Sequence, residues 1–515
     1  MDCKKCVSES HLISNMKIPA AFLIGFFLSS RLFAQQITTP LEKNNYQKVT
    51  SYDELAAYVQ LLDQKSDLLK TEIIGQSVQG RNLYAMLFSS SGFGNDKSKI
   101  RVLFLAQQHG NEQSGKEGAL LLTEALLRPE NSYLFDKIDL AIIPQMNPDG
   151  SETNTRRNGH NADLNRNHLL LTEPEPLALH RFFDRYLFDV TMDVHEYSPY
   201  GEDWLKYGYR KNADITLGGT TNPNVSEKIR ELSNREVLPF VFNYLKYRNF
   251  SSFVYCPGGP PEVDYFRHST FDINDGRQGF GIENTLSFIQ EGMNGKDNFV
   301  ENLRHRSEGQ MTGMRGMLEF VFTQKNEITK LVSDERAKLV SGQPDEKVSI
   351  QSEHTGNGQK LNIPLYSYFS GKDTMVVVSD YRPVVKSLTD VQKPVGYLVP
   401  KQLKELLDWA GRHALICNDY LQQKGFKIEQ YYINTIDSID FEGDMIVNPL
   451  VETREFHGKI ASSDYLFIPT NQLKGNLLVL ALEPKSMLGL VTYKPFEYLL
   501  KAGETFPVMR VVKTK

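Results

Sequence analysis

Three short, branched and uninterrupted apolar runs, Val102 to Ala106, Ile138 to Pro144 and Val190 to Val194, constrain the fold of this chain more than any other feature. Each has the length of a strand, and a strand that is apolar without alternation belongs in a sheet covered on both faces. Between the first two lies a helical pattern, Glu117 to Leu127, stopped by Pro129. A fourth stretch, Gly279 to Glu283, also reads as a strand. Strands alternating with helices predict an α/β fold, and open sheets of that kind gather their sites beyond the carboxyl ends of their strands.

Reactive residues stand at those ends. His109 and Glu112 follow the first run across a turn at Gly110, His195 follows the Val190 run, and Glu283 closes the fourth stretch. Zinc prefers imidazole nitrogen and carboxylate oxygen, and a catalytic site uses three protein ligands with a fourth position open. His109 and Glu112 can face one ion if their loop curls, and His195 is the best candidate for the third ligand. Taken singly, each feature has a plainer reading. A His-x-x-Glu pair is common in surface loops, a strand-end histidine is commonly a satisfied edge residue, and Arg156-Arg157 can be a solvated basic pair. Asp163 to Asn167 can be a polar turn. Together and in this order they point to metal-assisted hydrolysis.

The segments Asn147-Pro148-Asp149-Gly150, Thr155-Arg156-Arg157-Asn158 and Asp163-Leu164-Asn165-Arg166-Asn167 resemble the substrate-binding stretch of the M14 metallocarboxypeptidases. The resemblance spans residues 45–325 and implies a carboxypeptidase-like mixed β-sheet flanked by helices on both faces. It implies one Zn2+ per chain, held by His109, Glu112 and His195, with Glu283 in Gly281-Ile282-Glu283-Asn284 as the catalytic carboxylate. By the same resemblance Asn165 and Arg166 hold the terminal carboxylate of a peptide, Arg156 stabilises the oxyanion, and Asp163 fixes the tautomer of a ligand histidine. The chemistry agrees with these roles. A carboxylate beside the metal can take a proton from water and return it to the leaving amine. A guanidinium cannot lose its proton, which suits Arg156 to an oxyanion and Arg166 to a carboxylate. The digestive members of the family carry a substrate-capping tyrosine before the catalytic glutamate. Tyr265 is the nearest candidate here, with Tyr255 and Phe271 in other plausible slots. The aromatic and glycine-rich stretch from Tyr197 to Pro261 is expected to form the rim and the side-chain pocket.

The implied partners are peptides with a free C-terminal carboxylate. A net charge of -5 offers no basic footprint, so nucleic-acid binding is disfavoured. Lys17 followed by the apolar Ile18 to Leu28 reads as a secretory signal within residues 1–34, cleaved after Ala34, with Met16 as the plausible true start. That makes the protein secreted or periplasmic, without a membrane anchor once the signal is removed. The pair Cys3 and Cys6 goes with the signal, and Cys256 and Cys417 are expected as two buried thiols. After the catalytic region, residues 326–362 read as a polar linker, and residues 363–515 as a smaller mixed α/β or β-rich accessory domain. In that region Met375 to Ser379, Gly396 to Pro400 and Leu477 to Leu482 are strand-like, and Gln402 to Ala414 has a helical period. Two other functions fit the same residues. One is a related zinc amidase acting on cell-wall peptides or N-acyl amino acids, and the other is a non-catalytic peptide- or glycan-binding protein.

Overall fold

The apolar runs assemble into one eight-stranded mixed sheet in a computed structural model that describes residues 37–514, apart from 298, 343–344 and 423. The expected signal segment and the Cys3/Cys6 pair lie outside the described residues. In chain order the strands are β1 (Leu69–Gln76), β2 (Asn82–Phe88), β3 (Ile100–Ala106), β4 (Ile138–Ile143), β5 (Val190–Tyr197), β6 (Ile215–Gly219), β7 (Ser252–Val254) and β8 (Leu286–Met293). Across the sheet they run β1-β2-β4-β3-β5-β8-β6-β7. Strands β4, β3, β5 and β8 are mutually parallel, while β1, β2 and β6 join antiparallel. From β3 the chain moves outward to β4 and then crosses back to β5 on the other side. The β3/β5 boundary is therefore a topological switch point, where diverging connections leave a crevice.

Both faces of the sheet are covered, as uninterrupted apolar strands require. Leu103 and Leu105 of β3 pack with Ala141, Ile143, Phe182, Phe183 and Phe280 on one face. On the other, the helix Gln113–Leu126 packs against the 39-residue helix Leu303–Ser341.

That long helix corrects the reading of residues 326–362. The helix continues to Ser341, and the strand Lys347–Thr355 follows it. The charges that suggested a linker lie on its outer face, while Ile328, Val332 and Leu339 are buried at helical spacing. Two further expectations fail for a shared reason. Gly279 to Glu283 is not a strand but the end of a short helix, Gly276–Gly281, capped by Asp275, and the turn after it. Leu477 to Leu482 belongs to the helix Gly475–Leu482, whose residues are all buried. A short apolar run does not distinguish a buried strand from a buried helix.

The later part of the chain is β-rich, with a six-stranded sheet that includes Gly396–Pro400 and a helix at Lys404–Arg412. It is knitted into the earlier part. Leu361–Ser367 pairs with Tyr209–Lys211, and Tyr381–Arg382 pairs with Phe266–Arg267. The buried Trp409 donates its indole N–H to Leu169 O at 2.8 Å, and Lys474 reaches both carboxylate oxygens of Asp184 at 2.7 Å. From Thr38 to Lys515 the chain is one compact unit. Cys256 is buried and Cys417 exposed, and both are free, so the expectation of two buried thiols holds only for Cys256. No helix among the described residues is long and apolar enough to cross a membrane.

Candidate active site

The chain leaves β3 at Ala106 and passes through Gln107 in the left-handed region, φ 59°, which bends the next residues over the strand end. The turn Gly110-Asn111 then lies against the Asn147–Ser151 segment. A Cβ on Gly110 would stand 2.1 Å from the carbonyl carbon of Gly150, so only glycine fits this crossing. Asn147 locks the same crossing. Its side chain accepts from Gly150 N at 2.8 Å and donates to Gln108 O and Arg156 O, each at 3.2 Å. The Asn-Pro-Asp-Gly segment is thus the brace of the loop that carries His109 and Glu112.

The brace brings His109, Glu112 and His195 together. All three are buried, and their ligand atoms lie within 4.8 Å of one another. Glu112 Oε1 is 2.7 Å from His109 Nδ1, Glu112 Oε2 is 2.9 Å from His195 Nδ1, and the two Nδ1 atoms are 3.2 Å apart. The outer nitrogens face acids. His109 Nε2 is 3.1 Å from Asp163 Oδ1. His195 Nε2 is 2.9 Å from Asp193 Oδ1 and 3.2 Å from Asn165 Nδ2. Asp193 is placed to hold a proton on His195 Nε2, which would leave the Nδ1 lone pair for an ion bound among the three side chains.

The electrostatics ask for a cation at this point. Burial opposes charging of His109 and His195, yet Glu112 with Asp163 and Asp193 with Glu112 raise them above the ordinary histidine value. Burial likewise opposes ionisation of Glu112, and the two histidines overcome it and hold the acid well below the usual carboxylate range. Three acids around two imidazoles, with both inner lone pairs and one carboxylate converging, fit a divalent metal. Arg156 leans over the trio. Its Nε donates to Asp163 Oδ2 at 3.0 Å, and its Nη1 lies 3.2 Å from His109 Nδ1 and 3.7 Å from Glu112 Oε1.

Glu283 does not join this group. Strands β5 and β8 pair in parallel with Leu286 opposite Val190 and Glu291 opposite His195. Glu283 precedes the start of β8, and five strand residues, about 16 Å at ~3.3 Å each, separate Leu286 from the level of His195. It lies buried near Lys474, 3.9 Å from Nζ, at the opposite end of the sheet. Glu291 occupies the place expected of Glu283. Burial and the Glu112 carboxylate push it up to about 7, against the pull of His195, His109 and Arg156.

The remaining expected residues are divided. Asn165 is buried, with Oδ1 accepting from Gly276 N at 2.7 Å and Gln108 Nε2 at 3.3 Å. Arg166 is exposed, bonded through Nη1 to Asn165 O at 2.7 Å. Its pKa is raised: partial desolvation of the guanidinium opposes this, and the negative charge of Asp272, Asp275 and Asp163, with Tyr255, outweighs it. Tyr265 stacks under Arg382, whose guanidinium carbon is 3.9 Å from its ring centre. Tyr255 instead lines a cavity together with Glu291. Asp193 was not anticipated, although its position two residues before His195 on a strand places both side chains on one face. Glu291 was not anticipated either. Its signal was the run Leu286 to Ile289, which is the true strand beside β5.

The sequence profile of the zinc carboxypeptidases, peptidase family M14, matches residues 55–186. That stretch carries the signature of the zinc carboxypeptidases. The matched stretch contains His109, Glu112, Arg156 and Arg166 and stops short of His195 and Glu291. Among its relatives, carboxypeptidase 2 of Trichophyton tonsurans is 22% identical over 463 residues, covering 85% of this chain and 81% of that one. Mouse (Mus musculus) carboxypeptidase M is 30% identical over 151 residues, 25% of this chain and 34% of that one. A solved metallo-carboxypeptidase from Burkholderia cenocepacia aligns at 19% identity and TM-score 0.41, covering 53% of this chain and 69% of that chain. Over residues 55–186 the chain is similar to metallocarboxypeptidase-type hydrolases, and its α/β fold carries an added β-rich region.

Proposed function

We propose that the chain is a zinc-dependent carboxypeptidase that releases residues from the C-terminal ends of peptides, with Glu291 rather than Glu283 as its proton-transfer group. The observation that carries this reading is the convergence of two imidazole Nδ1 atoms and one carboxylate, with Glu291 held level with them by strand register. A zinc ion bound there would polarise the scissile carbonyl and lower the pKa of a water to roughly 7. Glu291, raised to about 7 by burial and Glu112, is matched to accept that proton near neutral pH and to return it to the leaving amine. Arg156, with Nη1 directed at the trio, pairs with the negative oxygen of the tetrahedral intermediate. Arg166 offers a fork to the terminal carboxylate, and the neighbouring Tyr255 closes over the terminal residue.

The test compares Glu291→Gln with Glu283→Gln on a peptide with a free C-terminus. Glu291→Gln should keep its zinc and lose roughly a hundred- to ten-thousandfold in turnover, the usual size of a general-base contribution. Glu283→Gln should stay close to wild type. Chelation should abolish turnover and added zinc restore it. The reverse pattern between the two variants would refute the assignment.

A further inference from the structure

Beside Glu291 lies a cavity of about 320 Å³ whose walls include Thr216, Tyr255, Ile363 and Pro364. Its lining contains a single cationic side chain, Lys211. We propose that this cavity receives the side chain of the residue being released and that Lys211 selects an acidic one, glutamate or aspartate. The proposal rests on the carboxypeptidase reading above and adds the substrate class.

Three observations carry it. Among the described residues the half-buried Lys211 has no carboxylate within ion-pair distance, although charges withdrawn from water are normally paired. Its Nζ makes one long contact, 3.4 Å to Cys256 O, and otherwise faces the rings of Trp204 and Phe266 at 5.4 and 5.8 Å from their centres. Second, the other cations near it are engaged. Arg267 pairs with Glu442 at 3.4 Å, and Arg277 with Asp275 at 2.8 Å. Third, Lys211 is held from both sides. It ends the strand Tyr209–Lys211, and its backbone pairs with Leu365 in the same strand that gives the cavity Ile363 and Pro364. Burial pulls its pKa below the ordinary lysine value, so a carboxylate arriving beside it restores the charged form. The apolar walls accommodate methylenes, and the ammonium at their edge supplies a counter-charge. A lysine or arginine side chain in the same cavity would meet a like charge.

The experiment measures kcat/KM with zinc-loaded enzyme on matched peptides that differ only in a terminal Glu, Leu or Lys. The wild type should prefer Glu. Lys211→Met should reduce the Glu-to-Leu ratio roughly ten- to hundredfold, the size of a charge-assisted contact. Lys211→Arg should recover much of that ratio, and Lys211→Glu should shift preference toward Lys. Zinc-dependent release without a preference for Glu, or a Lys211→Met change equal for all three peptides, overturns the proposal and leaves the carboxypeptidase reading intact. No release from any of the three peptides, with zinc bound, overturns both.

Discussion

Asp193→Asn tests the metal centre at its least obvious member. Asp193 is 2% exposed and divides its carboxylate between two neighbours. Oδ1 faces His195 Nε2 at 2.9 Å, and Oδ2 accepts from Gln108 Nε2 at 2.7 Å. Gln108 cannot turn its amide freely, because its Oε1 accepts from His168 Nε2 at 2.8 Å. An asparagine therefore has two poor choices. With its oxygen toward His195 it sets an NH2 donor against the Gln108 donor. With its NH2 toward His195 it favours a lone pair on Nε2 and moves the imidazole proton to Nδ1, the atom a metal needs. Loss of such a partner typically lowers metal affinity about ten- to hundredfold, or ~1.4–2.7 kcal/mol. Competition with a chromophoric chelator gives the zinc Kd directly, and the melting temperature of metal-free protein separates this effect from misfolding. A variant that folds and holds zinc as tightly as wild type would refute the argument that Asp193 sets the tautomer of His195.

Three other outcomes are expected. Arg166→Ala should cut kcat/KM on free-terminus peptides about ten- to hundredfold, while C-terminally amidated peptides remain poor substrates for both enzymes; good turnover of amidated peptides by the wild type would contradict the exopeptidase reading. Lys474→Met leaves Asp184, Glu283 and the His413 carbonyl without their shared donor, and because Asp184 is a quarter exposed the cost in denaturant unfolding should fall near ~3 kcal/mol, with less than about 1 contradicting the ion-pair reading. Glu283 is pushed up to about 7 from 4.5, first by burial and then by Asp184, so its protonated form is favoured in the fold. The stability it contributes is full below pH 4.5 and is lost as pH rises through about 7. Glu283→Gln should therefore be neutral at pH 4.5 and more stable than wild type at pH 8, by up to about 3 kcal/mol; equal unfolding curves at pH 8 would contradict the raised pKa.

Much of the spine and half of the centre were legible in the residues. The strands at Ile100–Ala106, Ile138–Ile143 and Val190–Tyr197 follow from branched apolar runs, the first starting two residues before the run that announces it, and the meeting of His109, Glu112 and His195 follows from strand ends opening at one edge. That Glu283 lies apart from His109, Glu112 and His195 has a local cause. Gly279 to Ile282 and Leu286 to Ile289 are neighbouring, largely apolar stretches with a glutamate within two residues of the end of each, and composition does not say which one is the strand. Pairing with β5 decides it, and pairing is a long-range property. The linker misreading has the same origin, since the outer face of a long helix is as polar as a loop until its buried face is seen. Tyr255 and Tyr265 differ only in where the Pro257–Pro261 segment turns the chain, and no periodicity reports that turn.

The hydrogen-bonded seam between Leu361–Ser367 and Tyr209–Lys211 carries a practical warning. Trimming this protein back to the segment that aligns best with its relatives would tear out one jaw of a vice. The remnant would bare a sticky β edge beside the catalytic cleft and lose its fixed backstop for the incoming chain end. Any attempt to transplant this hydrolase, shorten it or graft its selectivity elsewhere has to carry both jaws together.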